Sequence, residues 1–215
     1  GIRSGLFASM LYAAAALPIQ LAHYWTVDTI ANLFFLIALY AAVAISQRGR
    51  LWAFMLFGLA VGLGVASRIN IAMAAGLGPL AALIYLRTFY LQKPNALRRT
   101  HLFRWVWIAL LLVITAGIGF LAFRIAQPYA FKGPDIWDLQ GNEKWFDDIK
   151  YVSKLSSKQD DGWPPSHQFV GRISYLFPWA NIVLWGMGLP LGILATIALI
   201  QAINKQIHQW ELSPQ

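Results

Sequence analysis

Six long apolar stretches determine what this chain can fold into. They run over about 3–22, 29–46, 52–67, 71–87, 105–126 and 179–201. An α-helix needs about 17–25 apolar residues to cross the hydrocarbon core of a bilayer, so each stretch is long enough, or nearly so, to span a membrane. Charged residues make up only 12% of the chain, far below their usual share in soluble domains. The sequence therefore predicts an all-α integral membrane protein, one transmembrane helical domain over residues 1–215 with about six spans.

The connections between these stretches differ in charge. Two of them, 47–51 and 87–104, carry basic residues and no acid, and the tail after Ala202 carries Lys205 and Glu211. All three fall on one side if every apolar stretch crosses once, and the positive-inside rule predicts that this side is cytoplasmic. Residues 127–178, the outer segment, are then predicted to lie outside the cytoplasm.

Composition excludes several classes of function. The net charge of +8 follows from the loop asymmetry, whereas a nucleic-acid surface would interleave basic and aromatic residues on a soluble face. No nucleic-acid partner is predicted, while membrane lipids are, because basic clusters beside a membrane often contact anionic lipid. The absence of cysteine removes disulfides and thiolate metal sites. The chain starts without Met, directly in an apolar helix, so we expect further elements before Gly1 and after Gln215.

The outer segment contains one amphipathic pattern. Trp145, Ile149 and Val152 fall at i, i+4 and i+7, with acids and lysines filling most of the other positions. This spacing predicts a helix over about 141–157, with Asn142 as a possible N-cap, lying on the membrane surface or on the protein's own helical bundle. The side chains expected on its exposed side are Asp148, Lys150 and Lys154.

Small residues mark the third apolar stretch. Gly58-x-x-x-Gly62, followed by Gly64, gives one smooth helix face. Such spacing is typical of close helix packing in membranes and predicts an interface rather than a catalytic site.

Polar residues that the topology places on the outer side form the candidate substrate-binding site. They are His23, Asp28, Arg68, Asn70, His167, Gln168 and Arg172. Ionisable groups at membrane depth are costly, which makes them candidate functional groups. A carboxylate can act as a base, and a guanidinium can clamp a phosphate. We expect Asp28 and Arg68 to approach one another. For His23 and Asp28 an alternative stays open, in which both are solvated helix ends and Asp28 caps its helix.

No metal site is predicted. His23 and His167 come from separate connections, and two such histidines are more often ordinary interfacial residues than ligands. Asp160 and Asp161 are interpreted as solvated turn formers, which leaves a possible divalent cation open at that turn.

Four stretches together resemble one enzyme family. They are LPIQLAHYWTVD (17–28), GLAVGLGVASR (58–68), RIAQPYAF (124–131), and WPPSHQFVGR (163–172) with NIVLWGMGLP (181–190). The chain resembles the GT-C superfamily of polytopic glycosyltransferases, most closely the prokaryotic proteins related to glycosyltransferase family 39, the protein mannosyltransferase type. The match covers nearly the whole chain.

The resemblance implies a function. Members of this family take a sugar from a polyprenyl-phosphate donor, with inversion at the sugar carbon, on the outer face of the membrane, here the prokaryotic plasma membrane. Asp28 corresponds to the acidic residue of the family's second outer loop, and Arg68 to the basic residue near the carrier phosphate. The family's principal catalytic acid lies in the first outer loop. This chain resembles the family from the third helix onward, so the resemblance assigns no catalytic acid within it.

Two other classes of function compete with this hypothesis. Small-residue helix faces, ten tryptophans and the amphipathic segment also suit a non-catalytic accessory or scaffold subunit that packs against membrane-protein partners. A secondary transporter would need broken helices in paired halves. Only 68–70 resembles a break, so we rank the transporter last.

Overall fold

The fold is mainly α-helical, with no β-strand, in the part of the chain that the computed structural model describes, residues 2–24, 26–92, 98–133, 135–157 and 171–211. Its α-helices are α1 (Ile2–Ala14), α2 (Ala16–His23), α3 (Val27–Arg48), α4 (Leu51–Ser67), α5 (Leu77–Gln92), α6 (Arg98–Ala126), α7 (Glu143–Ser157), α8 (Leu176–Asn181) and α9 (Leu189–Glu211). Other helical turns are the 3₁₀ helices Ile69–Gly76 and Pro128–Ala130 and the π turn Ile182–Gly186. The predicted all-α class is confirmed.

Three described segments are long and apolar enough to cross a bilayer: Val27–Arg48, Ile69–Leu91 and Leu102–Ala126. The pair α1–α2 makes a fourth if it counts as one span despite its bend of 61°. Shorter apolar helices, among them α4 with 17 residues, fall below this length. The protein therefore has membrane-embedded helices, and the count of six spans stays a prediction.

The bend in the first apolar stretch has a local cause. α1 ends at Ala14 and α2 starts at Ala16, with Ala15 between them in an extended conformation (φ −73°, ψ 142°). Pro18 has no N–H to donate to the carbonyl of Ala14, and its ring crowds that carbonyl in a continuous helix. One apolar run therefore becomes two short helices.

The chain divides into two compact units. The four-helix unit is Thr26–Tyr151 and contains α3 to α6, and the terminal unit comprises Gly1–Trp25 and Val152–Gln215. Within the terminal unit, α9 crosses the π turn so closely that a Cβ on Gly192 would stand 2.5 Å from the carbonyl oxygen of Val183.

The core of the four-helix unit is built from small side chains and a few large ones. Its largest fully buried residues include Phe54, Ile45, Leu86 and Leu111. The alanines beside them are Ala38, Ala41, Ala42, Ala53, Ala60, Ala81 and Ala82. Alanine lets helix axes come close together. In lipid, burying apolar surface between helices contributes little free energy, so close packing is what stabilises helix pairs.

The predicted packing role is confirmed for Gly58 and Gly62, which lie against α6, whereas Gly64 of the same predicted face lies against Ile71 of the 3₁₀ helix instead. A Cβ on Gly58 would stand 2.3 Å from the carbonyl oxygen of Thr115, and one on Gly62 would stand 2.2 Å from that of Gly119. The hydroxyl of Thr115 lies 3.2 Å from the carbonyl oxygen of Phe54, which adds a polar contact across the same interface. Any side chain at either glycine would push the two helices apart.

Candidate functional site

Asp28 and Arg68 form a salt bridge in the four-helix unit. Asp28 lies in the first turn of α3, and Arg68 is the residue that follows α4. Their side chains are 32% and 46% exposed, so the pair lies at the surface of the unit rather than in its core. The predicted approach of these two residues is confirmed.

Asp28 does not cap its helix. The N-cap of α3 is Thr26, which makes no side-chain capping hydrogen bond, and Asp28 stands two positions inside the helix. A carboxylate in the first helical turn is stabilised by the partial positive charge of that helix end. The Asp28 carboxylate therefore faces positive charge from both this helix end and the guanidinium of Arg68.

The backbone around Arg68 is a defined break between two helices. Arg68 has an extended conformation (φ −153°, ψ 118°). Its N–H donates to the carbonyl of Gly64 at 2.8 Å, and its own carbonyl accepts from the N–H of Ile71 at 3.0 Å. The 3₁₀ helix that follows has eight residues, long for this kind of helix and typical of a functional or strained segment.

The other predicted site residues are distributed over both units. Asn70 is exposed in the 3₁₀ helix, two positions after Arg68. In the terminal unit, His23 is exposed and its ring meets that of Tyr24 edge to face at 5.4 Å. Arg172 lies with its guanidinium 5.3 Å from the ring centre of Phe177. The structure thus brings Asp28 and Arg68 together, and the roles of the others in binding stay predictions.

Some predictions fall outside the described residues. They concern His167, Gln168, Asp160 and Asp161. Among the described residues, no three His, Asp or Glu side chains gather in a group that could hold a metal ion.

An apolar groove lies in the four-helix unit, at a face of α4 whose lining residues include Val65. It encloses about 330 Å³ between α4, the 3₁₀ helix, α5 and α6. Its wall includes Val65, which is one helical turn before Arg68, together with Ala75, Ala116 and Phe123. Only one lining side chain, Thr115, carries a polar atom, and its hydroxyl is engaged by backbone carbonyls. The groove has the lining that a flexible apolar chain requires.

Arg124, at the end of α6, organises the start of the outer segment. It is 2% exposed. Its Nη2 donates to the carbonyl of Gly133 at 2.9 Å and to that of Asp135, and its guanidinium lies 4.5 Å from the ring centre of Phe131. In the sequence, Arg124 stands out only as the first residue of RIAQPYAF (124–131), one of the stretches that resemble the enzyme family. Its position near the end of the apolar stretch 105–126, with Ile125 and Ala126 still to follow, was the one signal that could have indicated a buried cation.

The loop held by Arg124 leads into the amphipathic helix. Phe131 and Gly141 form an antiparallel bridge, and the N–H of Lys132 donates to the carbonyl of Gln140 at 2.9 Å. Asn142 then caps α7, because its Oδ1 accepts from the N–H of Lys144 at 3.1 Å. The predicted helix is confirmed as Glu143–Ser157, with its predicted N-cap.

The apolar stripe of α7 is only partly covered by protein. Trp145 is half-buried and packs on Phe123, with ring centres 5.9 Å apart, and Ile149 is also half-buried. Val152, by contrast, is 59% exposed, so its predicted burial is not provided by the chain. The predicted exposure is confirmed for Asp148, Lys150 and Lys154.

We expect Arg124→Met to loosen the loop over 128–142. Hydrogen bonds to a charged donor contribute about 1.5–3 kcal/mol each, and the variant removes two of them. Amide hydrogen exchange at Lys132 and Asn142 should accelerate by about 10-fold or more. Arg124→Lys should behave similarly, because an ammonium cannot reproduce the planar fork of a guanidinium.

The control is Lys132→Met, which removes only an exposed salt bridge to Glu143 with an N–O distance of 2.9 Å. Such pairs contribute at most about 1 kcal/mol. Equal exchange rates in the Arg124 and Lys132 variants would contradict the anchoring role of Arg124.

Comparison with known proteins gives one match. A family model described as dolichyl-phosphate-mannose-protein mannosyltransferase matches residues 1–120, just over half of the 215 residues. The matched part includes α1 to α5, most of α6, Asp28 and Arg68. No curated protein and no solved structure matches the chain.

Proposed function

Because the chain belongs to the dolichyl-phosphate-mannose-protein mannosyltransferase family, we propose that it transfers a sugar from a polyprenyl-phosphate donor to an acceptor on the outer face of a membrane. Family membership together with the long apolar helices identifies the chain as a membrane glycosyltransferase of the GT-C type. The donor, the acceptor and the side of the membrane are parts of the proposal.

The salt bridge between Asp28 and Arg68, together with an apolar groove in the same unit, supports this proposal. A polyprenyl-phosphate donor has an anionic head and a long apolar tail, and the site offers a partner for each. Arg68 is half-exposed, and a guanidinium has five N–H donors, so it can bind a phosphate without losing Asp28 entirely. The groove, which begins one helical turn away at Val65, would take the tail.

Asp28 is proposed to orient Arg68 and the sugar end of the donor rather than to act as the principal base. In the family that the chain resembles, the acidic residue that acts as the principal base lies in the first outer loop. The resemblance of this chain starts after that loop, at the family's third helix. Asp28 would then supply a fixed negative charge near the reacting carbon, where an oxocarbenium-like charge is stabilised.

We expect Arg68→Ala to weaken donor binding. A bidentate arginine–phosphate contact acts already in the bound ground state, so KM for the donor should rise about 10-fold or more while kcat changes less. Arg68→Lys should recover part of this loss, because it keeps the charge but not the fork. The measurement is steady-state transfer by the full-length enzyme with a synthetic polyprenyl-phosphate sugar.

Lys150→Ala is the matched control, since it removes one exposed cation of α7 that lies 3.3 Å from Asp147. Its KM should equal that of the unchanged enzyme. A donor KM that is the same in Arg68→Ala and Lys150→Ala would remove Arg68 from the donor site and favour the accessory-subunit alternative.

The proposed orientation places 47–51 and 87–104 in the cytoplasm and the outer segment outside. Cysteine introduced at Ser156 should react with a membrane-impermeant thiol reagent in intact cells, and cysteine at Asn95 should react only after lysis. The chain has no cysteine of its own, so the labelling background is low. The opposite pattern would invert the topology.

A further inference from the structure

The end of the four-helix unit opposite the salt bridge is strongly basic. α3 has 22 residues, about 33 Å at 1.5 Å per residue, with Asp28 at its start and Arg48 at its end. Between Asp28 and Asp135 the sequence contains no Asp or Glu. The described cations of this basic end are Arg48, Arg50, Arg87 and Arg104.

Packing joins the segments of the basic end. Gly49, in the left-handed region (φ 57°), forms the turn between α3 and α4, and the ring of Tyr85 from α5 lies on it. A Cβ on Gly49 would stand 2.6 Å from that ring. The hydroxyl of Tyr85 accepts from Nη1 of Arg104 in α6 at 2.9 Å. Arg48 and Arg50, which flank Gly49, are therefore held in the same part of the unit as Arg104.

Arg104 is held more rigidly than a surface arginine. Its guanidinium lies 4.4 Å from the ring centre of Phe89 and 5.9 Å from that of Tyr85. It is half-buried, whereas Arg48, Arg50 and Arg87 are exposed. A guanidinium stacked on aromatic faces is pre-organised, so it loses little conformational entropy when it binds an anion.

Aromatic residues gather at this end of the unit. Trp105 stacks on Tyr90 with ring centres 6.4 Å apart, and Trp52 lies 6.2 Å from Tyr40. Trp and Tyr concentrate where the hydrocarbon core meets the headgroups. The anion that is abundant at that depth is the phosphate of an anionic phospholipid, and the nearby sequence supplies no carboxylate to compete for these cations.

We propose that the basic end of the four-helix unit is a binding site for the phosphate of an anionic phospholipid, centred on Arg104 and completed by Arg48, Arg50 and Arg87. The site is independent of the proposed sugar transfer, because it lies at the other end of α3 from Asp28. Each basic residue near an anionic surface contributes roughly a fivefold preference, so several together select anionic over zwitterionic lipid by 10-fold or more.

The test uses the full-length protein in detergent, with lipid adducts counted by native mass spectrometry. Phosphatidylglycerol is compared with phosphatidylcholine of the same acyl chains. The unchanged protein should bind phosphatidylglycerol at least about 10-fold more tightly. The exposed double variant Arg50→Gln/Arg87→Gln should lose most of this preference, at roughly fivefold for each charge removed. Both residues are exposed, so the variant should fold, and a thermal melt of the same sample checks this.

The matched control removes two cations elsewhere, Lys144→Gln/Lys150→Gln in α7, and should keep the preference. Arg104→Lys should weaken phosphatidylglycerol binding although it keeps the charge, because the stacked planar fork is lost. Equal binding of the two lipids by the unchanged protein would overturn the proposal. It would also be overturned if both double variants lost the preference equally, or if millimolar inorganic phosphate displaced the lipid as well as added phosphatidylglycerol does.

Discussion

Sugar transfer by the full-length enzyme should fall by at least about 100-fold in Asp28→Asn, because removal of one fixed charge that stabilises a developing charge typically costs that much. The protein should remain folded. The carboxylate is 32% exposed and its partner 46%, and a pair exposed to this degree contributes at most about 1 kcal/mol to stability. The loss should therefore lie mainly in kcat. The measurement is single-turnover transfer with saturating donor, together with a thermal melt of the same sample.

Two variants separate a chemical role of Asp28 from a structural one. Asp28→Glu keeps the charge and should retain part of the rate, whereas Asp147→Asn removes an exposed acid of α7 and should leave it unchanged. If the pair were only structural, Asp28→Asn and Arg68→Met would lower the melting temperature together without slowing transfer at a temperature where both variants are folded. Normal transfer in folded Asp28→Asn would exclude Asp28 from the site.

Gly62→Leu should strongly destabilise the four-helix unit. A Cβ at this position would stand 2.2 Å from the carbonyl oxygen of Gly119 and 2.9 Å from the side chain of Ala122. Backbone cannot move aside like a flexible side chain, so α4 and α6 must separate and lose contacts along their length. Overpacking costs about 1–3 kcal/mol, and we expect the upper end of this range or more. The readout is the unfolding free energy in detergent micelles titrated with dodecyl sulfate.

Gly117→Leu is the matched control because α6 leaves open space there, with no atom within 4 Å of an added Cβ. This variant should unfold within about 0.5 kcal/mol of the unchanged protein or be slightly more stable, since leucine favours a helix more than glycine does. Similar destabilisation by both substitutions would show that helix propensity, rather than the contact with Gly119, determines the effect.

Local patterns in the sequence predicted much of the four-helix unit. Apolar length indicated α3, α4 and α6, and the small-residue spacing indicated the face that carries Gly58 and Gly62. The i, i+4, i+7 stripe and Asn142 predicted α7 within two residues of its start. Charge and predicted topology together paired Asp28 with Arg68, because both were predicted at outer helix ends and no other acid occurs in the sequence until Asp135.

Features that depend on three-dimensional packing were not predictable in this way. The break at Ala15 lies within one long apolar stretch. The length of that stretch predicts one continuous helix and does not show that the helix is interrupted three residues before Pro18. Arg124 reads as a helix-end cation, yet it is buried because two carbonyls of a later loop meet its guanidinium. The groove beside Val65 depends on how far α4, α5 and α6 stand apart, and no single helix encodes that distance.

The 3₁₀ winding of Ile69–Gly76 determines which face of α5 meets its neighbours. A 3₁₀ helix turns about 120° and rises about 2.0 Å per residue, against about 100° and 1.5 Å for an α-helix. Rewinding these eight residues as α-helix would rotate α5 by about 160° and draw it in by about 4 Å. Ala81, Ala82 and Leu86 would then face away from the core. This segment acts as a rotational spacer, so its winding, and not only the apolar content of α5, selects the residues that are buried.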